Sequence, residues 1–264
     1  MPAKTFIWCL LIMLTATIRV AGQSEKYRFS RIDANDGLSH NQVKSFYKDH
    51  QGFMWIGTIS GLNRFDGYNL KVFRNDPRDP RSIINDDINR MFEDPDGKMW
   101  ISTWSGLDIF DPVTETFRYD PSPMIHRLGL PDGSLTDIVK DTLGNYWFVH
   151  QTLGLYLYDN RNKKTVTFRS IPEDSTSISS DRIASLQIDR RGNAWLIHRD
   201  GVIEQLDRKT QKVVFRSDFL AKQFNAALQD YRLILDNDGD LWIYVADTNR
   251  GIFHFNPRTG DISH

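Results

Sequence analysis

Asp94–Phe110 reads DPDGKMWISTWSGLDIF, and relatives of this stretch recur along the chain at nearly constant spacing. An Asp-x-x-Gly segment turns the chain and a Trp follows three residues after the Gly. A short β-rich run then leads to a small-residue turn, and a Gly-apolar pair opens a second β-rich run. The copies are DHQGFMWIGTISGLNRFD from Asp49, DTLGNYWFVHQTLGLYLYD from Asp141, DRRGNAWLIHRDGVIEQLD from Asp189 and DNDGDLWIYVADTNRGIFHFN from Asp236. Their tryptophans, Trp55, Trp100, Trp147, Trp195 and Trp242, stand 45, 47, 48 and 47 residues apart.

Each repeat offers four candidate strands. In the second they are Asp87–Glu93, Met99–Thr103, Leu107–Phe110 and Thr116–Tyr119, joined by tight turns. Four short antiparallel strands per unit of this length predict an all-β chain folded as a β-propeller of four-stranded blades, about five of them present. The recurring residues read first as scaffold. Asp accepts local backbone hydrogen bonds in the turn, Gly supplies positive φ, and the Trp fills the wedge between blades, burying ~200 Å² per ring. Gly61, Gly106, Gly154, Gly201 and Gly251 open the third strand. Helical periodicity is absent from the repeats, although Phe219–Leu228 allows one or two helical turns in a loop.

The chain has 264 residues, 40% of them hydrophobic, which is enough for a sizeable core. Residues 1–22 read as a secretory signal. Lys4 supplies a positive start, Phe6–Ile18 an apolar run short of the ~20 residues that span a bilayer, and Val20-Ala21-Gly22 a cleavage zone. The one cysteine, Cys9, falls inside it, so the exported chain is held by core packing without disulfides. Formal net charge is −1, and Lys4 and Arg19 are the only charged side chains of the signal, which leaves −3 on the remainder. That balance gives no basis for nucleic-acid binding by this region. Residues 23–264 are expected to form the propeller repeats, preceded by a strand at Tyr27–Ile32 and a turn at Asn35-Asp36-Gly37-Leu38.

Chemistry-bearing motifs are few. No Gly-rich phosphate loop, His-Glu-x-x-His helix or Gly-x-Ser-x-Gly elbow occurs, so no catalytic residue and no cofactor is assigned. Asp94–Gly97 and Asp236–Asp240 superficially resemble calcium loops but lack the later bidentate Glu, so they read as surface turns and no metal is assigned. Asp86 and Asp87 stand where an inner strand enters its blade, but the equivalent later pairs, Thr136-Asp137 and Ser180-Asp181, keep one acid each. An enzyme would need paired carboxylates, so a propeller-fold carbohydrate-active enzyme is the lesser alternative.

The connections between repeats, residues 75–86, 121–134, 171–181 and 218–230, are long and varied, whereas the Asp-x-x-Gly turns are short. Recognition is therefore expected on the face that carries those connections and the turns between second and third strands. Trp104, Gln151, Arg199, Asp247, Asn249 and Arg250 lie in those turns. His150 and His198, each three residues after its Trp, are candidates for a polar ligand contact. Trp104 is the residue the repeat does not demand. It suits stacking on a sugar ring, or packing under the loop 121–130.

WIGTISGLNRFDGYNLKVFRNDPRDPRSI, continuing into INRMFEDPDGKMWIST, resembles the two-component regulator propeller repeat of periplasmic sensors in hybrid two-component systems of Bacteroidetes. The leader YRFSRIDANDGLSHNQV resembles the usual start of such a sensor. The likeness is specific in the first two repeats; in the last three, Val-His, Ile-His and Tyr-Val replace the Gly-Thr that the first repeat carries after Trp-Ile. It implies a non-catalytic, periplasmic ligand-sensing region of an inner-membrane protein that detects an oligosaccharide or similar small ligand. It further implies a partner in the remainder of the sensor kinase, C-terminal to this region, and a homodimer in the full-length protein. Sensors of this kind carry seven-bladed propellers, so the chain is expected to be a fragment holding an incomplete ring, in which the Tyr27–Ile32 strand lacks its partner. A purely structural or protein-interaction propeller is the other alternative, and its mark would be an apolar patch.

Overall fold

The computed structural model describes residues 30–118, 120–224, 227–246 and 250–264. Ser30–Asp33 fall outside the unit formed by the rest of the described chain and form no strand; the expected signal and most of the expected Tyr27–Ile32 strand lie outside the described residues. No helix among the described residues is long and apolar enough to cross a membrane.

Ala34–His264 form the second unit, built of five four-stranded antiparallel sheets, a β-propeller. Blade 1 comprises β1 (Val43–Lys48), β2 (Met54–Thr58), β3 (Gly61–Phe65) and β4 (Leu70–Phe73); blade 2 comprises β5 (Ile88–Glu93), β6 (Met99–Thr103), β7 (Gly106–Asp111) and β8 (Thr116–Arg118). Blade 3 holds β9 (Leu135–Lys140), β10 (Tyr146–His150), β11 (Gly154–Asp159) and β12 (Lys164–Phe168). Blade 4 holds β13 (Ile183–Ile188), β14 (Ala194–His198), β15 (Ile203–Asp207) and β16 (Lys212–Ser217). Blade 5 holds β17 (Tyr231–Leu235), β18 (Leu241–Val245), β19 (Ile252–Phe255) and β20 (Ile262–Ser263). Each sheet keeps its chain order, as consecutive hairpins require.

The turns form for the reasons their residues suggest. Asp94 Oδ1 accepts the N–H groups of Asp96 and Lys98, and Gly97 closes the turn at φ +75°. The same carboxylate contacts recur at Asp49, Asp141, Asp189 and Asp236. At Gly154, φ is +79° and a Cβ would stand 2.4 Å from the Phe168 carbonyl oxygen, so any side chain there would displace the neighbouring strand.

Four hydrophobic clusters weld blade 1 to 2, 2 to 3, 3 to 4 and 4 to 5, each centred on the Trp of the earlier blade. Trp55, Trp100, Trp147 and Trp195 are 1%, 0%, 0% and 6% exposed. In blade 5 the pattern breaks. Trp242 is 40% exposed, and Ile234, Tyr244 and Ile252 beside it are open to solvent. At the other end Phe46 is 66% exposed, although its counterparts Met91, Ile138, Leu186 and Leu233 are buried against a preceding blade. No cluster among the described residues joins blade 5 to blade 1, so both flanks present uncovered sheet.

Two inter-blade connections carry helices. The α1 helix (Ser122–Arg127), not foreseen in the long connection after blade 2, starts at Pro121 and buries Met124 and Ile125 between blades 2 and 3. The α2 helix (Phe219–Gln223) forms at the start of the stretch where helical turns were allowed, and buries Leu220 against blade 5.

Candidate functional site

The inner strands β1, β5, β9, β13 and β17 stand nearest the axis. Their entry ends share a face with the turns between second and third strands, because one backbone bond repeats in every blade. The first residue of each such turn donates its N–H to the residue entering the inner strand: Ile59 to Gln42, Trp104 to Asp87, Gln151 to Ser134, Arg199 to Arg182 and Ala246 to Asp230. In four blades the residue so held, Trp104, Gln151, Arg199 or Ala246, lines the mouth of the axis.

In four blades the inner strand carries a bulge at its second residue, which falls at Lys44, Asn89, Thr136 and Ala184. A bulge leaves one residue unpaired and re-aims its side chain. All four bulged residues line a cavity of about 930 Å³ at this face, together with Trp104, Gln151, Arg199, Arg90, Asp230 and Arg232, so every blade contributes.

The lining is strongly cationic on one side of the ledger and thin in acids. Lys44 Nζ lies 2.6 Å from Asp87 Oδ1 and 2.6 Å from Asn89 Oδ1. Arg232 is held bidentate by Asp230, at 2.6 and 2.8 Å. Arg90 donates to the Thr136 carbonyl at 3.0 Å and stands 3.8 Å from Asp137. Burial, and next the like charge of Arg232, pull the Arg90 guanidinium below its ordinary range; burial pushes the Asp137 carboxyl up against the opposing pull of Arg90. Trp104 is 79% exposed, so it does not pack under the connection that follows blade 2.

Of the residues singled out from the sequence, Trp104, Gln151 and Arg199 share this cavity. Arg250 stands elsewhere, its guanidinium 4.6 Å from the Phe224 ring centre. Asp247 and Asn249 lie outside the described residues. The two histidines are buried beneath the turns and do not line the cavity. His150 Nδ1 accepts the N–H groups of Thr152 and Leu153, which leaves Nε2 to donate to the Asp132 carbonyl at 3.1 Å. His198 Nε2 meets Glu204 at 2.7 Å, and Arg216 Nε meets the other carboxylate oxygen at 2.5 Å. Burial raises the Glu204 carboxyl, but His198 and Arg216 outweigh it and hold it low. Asp86, one of the acids weighed for catalysis, accepts the Asn75 N–H and so braces a connection, while Asp87 is paired to Lys44.

Lys44, Asn89, Arg90 and Arg232 escape a motif search. Aligning the repeats on Trp places Lys44 and Asn89 eleven positions earlier and Arg90 and Arg232 ten, in two columns that carry no single residue type through the five repeats. On the opposite face Asp236, Asp240 and His254 each offer a ligand atom within 4.8 Å of one another. Asp236 is already engaged by the Asp238 and Asp240 N–H groups and the Trp242 indole, and His254 by Asp240.

The fold and this mouth define a β-propeller with a polar, aromatic-rimmed axial cavity. The sequence profile of the two-component regulator propeller matches residues 37–60 and 82–105, so the chain carries that repeat in its first two blades. The chain is 34% identical over 77 residues to histidine kinase P4 of Formosa agariphila, covering 29% of this chain and 6% of the kinase. Two solved structures from B. thetaiotaomicron share the fold. The extracellular domain of a protein described as a hybrid two component system aligns at TM-score 0.61 and 23% identity, over 89% of this chain and 31% of that one. The extracellular domain of one described as a one component system aligns at 0.58 and 18%, over 89% and 33%. The chain thus spans about a third of these structures and a small part of the kinase.

Proposed function

We propose that this chain is the ligand-sensing propeller region of a two-component signalling protein, without catalytic activity of its own. It binds an oligosaccharide at the axial mouth and passes the signal to a kinase C-terminal to this region. The observation that carries the reading is the cavity to which all five blades contribute, whose lining holds an exposed Trp104 together with Gln151 and Arg199. An aromatic face flanked by amide and guanidinium donors is what a sugar ring with several hydroxyls requires. The same reading carries a periplasmic location after export by residues 1–22, with membrane anchoring and dimerisation of the full-length protein; the two B. thetaiotaomicron structures that share the fold are extracellular domains.

Titration calorimetry of the chain against neutral and acidic oligosaccharides tests the reading. Saturable heat with at least one glycan, lost in Trp104→Ala, is expected. No heat with any glycan, alongside tight capture of a protein partner, would replace sugar sensing by a protein-interaction role.

A further inference from the structure

The chain as a whole is slightly acidic, with a formal net charge of −1, yet the mouth is basic: Lys44, Arg90, Arg199 and Arg232 line it against the single acid Asp230. Two of those four cations are already satisfied, Lys44 by Asp87 and Arg232 by Asp230. The other two keep donors in reserve. Of the five N–H donors of Arg90, one reaches the Thr136 carbonyl, and the Asp137 carboxylate at 3.8 Å lies beyond hydrogen-bond range. The Arg199 guanidinium meets no acceptor or carboxylate among the described residues, while its backbone N–H and C=O are both tied down, to Arg182 and Gln229, so the side chain is carried on an anchored turn.

Resting on the sugar-sensing reading, we propose that the ligand is an acidic glycan, whose carboxylate or sulfate is taken by Arg90 and Arg199 while Trp104 stacks on the adjoining ring. Arg presents a planar fork that matches either anion, and hydrogen bonds to a charged acceptor are about twice as strong as neutral ones. The site also has reason to prefer an anion over a neutral ring. Arg90 is largely removed from solvent and has one hydrogen-bonded acceptor among the described residues, so a bound anion supplies a charged acceptor that a hydroxyl does not. Lys44 and Arg232 are each paired to an acid, which leaves Arg90 and Arg199 to take the ligand's charge.

The test titrates the chain with three tetrasaccharides: a carboxylated one of galacturonic acid, a sulfated galactan without carboxylates, and neutral cellotetraose, with inorganic sulfate as a fourth probe. Binding of one acidic sugar about tenfold or more tighter than the neutral one is expected, weakening as salt rises from 0.05 to about 0.5 M. Arg199→Met should weaken that binding about tenfold or more without touching the fold, and Arg199→Lys should restore part of it. Should Arg90→Met unfold the chain, Arg199→Met and the salt series still decide. Equal affinity for cellotetraose, or an acidic-sugar affinity indifferent to salt and to Arg199→Met, overturns the acidic-glycan inference and leaves sugar sensing intact. Arg199-dependent binding of sulfate with no heat from any sugar would keep the anion site and overturn the glycan reading. Silence from all four probes overturns both.

Discussion

Trp100 donates its indole N–H to the Asp94 carboxylate at 2.8 Å, six residues back along the chain. Trp55 with Asp49 and Trp242 with Asp236 repeat the bond at 2.8 and 2.9 Å. One oxygen of the Asp thus shapes the turn and the other anchors the wedge. In blades 3 and 4 the residue after the Gly is Asn, and Asn145 and Asn193 take that second oxygen at 3.0 Å; the buried Trp147 indole N–H has no partner among the described residues.

Asp94→Ala removes the acceptor of three N–H donors at a site only 1% exposed. A loss of ~3 kcal/mol in urea unfolding is expected, at about 1 kcal/mol per bond. Asp236→Ala, whose indole partner is partly solvated, should cost under about half of that. Equal losses at the two sites would contradict the anchoring role.

Trp100→Ala should cost ~3–5 kcal/mol, the range for truncating a buried aromatic in a packed core. Trp242→Ala removes a side chain already 40% exposed, and its cost should stay near ~1–2 kcal/mol. The comparison of midpoints at constant m-value reads this directly, and it measures how far the blade 5 face lies outside the core.

Asp108 is fully buried, accepts the Ile84 N–H at 2.6 Å, and its other oxygen has no partner among the described residues. Burial pushes its carboxyl up to about 6 from an ordinary 3.8. Below pH ~3 the group is mostly protonated whether folded or not, and it costs almost nothing. Between about 4 and 6 the unfolded chain ionises first, so stability falls, and by pH 7 the loss reaches ~3 kcal/mol. Blade 1 carries Asn63 in this column, accepting from Ser39 N–H and donating to the Ile56 carbonyl. Asp108→Asn should therefore stabilise by ~2–3 kcal/mol at pH 8 and by almost nothing at pH ~3. A pH-independent difference would refute the assignment.

Trp104→Ala should leave the melting curve within about 0.5 kcal/mol of the parent, because the ring is 79% exposed. Affinity for the sensed glycan should fall about tenfold or more. Unchanged affinity would remove Trp104 from the site while leaving the propeller untouched.

The sequence by itself determined the blade. Its signals are local: Asp-x-x-Gly turns, strand-length apolar runs and a Trp at a period near 47 residues each depend on neighbours a few positions away, so the strands of Met99–Thr103 and Thr116–Arg118 were legible to within a residue or so. Trp104, Gln151 and Arg199 were legible as turn residues for the same reason. Only the tertiary structure decided who shares the mouth. Arg90, Arg199 and Arg232 come from three blades and meet through the closing of the inner strands around the axis, a long-range arrangement that no local pattern records. The bulges that place Lys44 and Asn89 there arise from strand pairing, and the burial of His150 and His198 from the backbone and acid that cap them. Burial is a property of what stands opposite a residue. For that reason identical positions can differ as sharply as Trp100, sealed by blade 3, and Trp242, with its face uncovered.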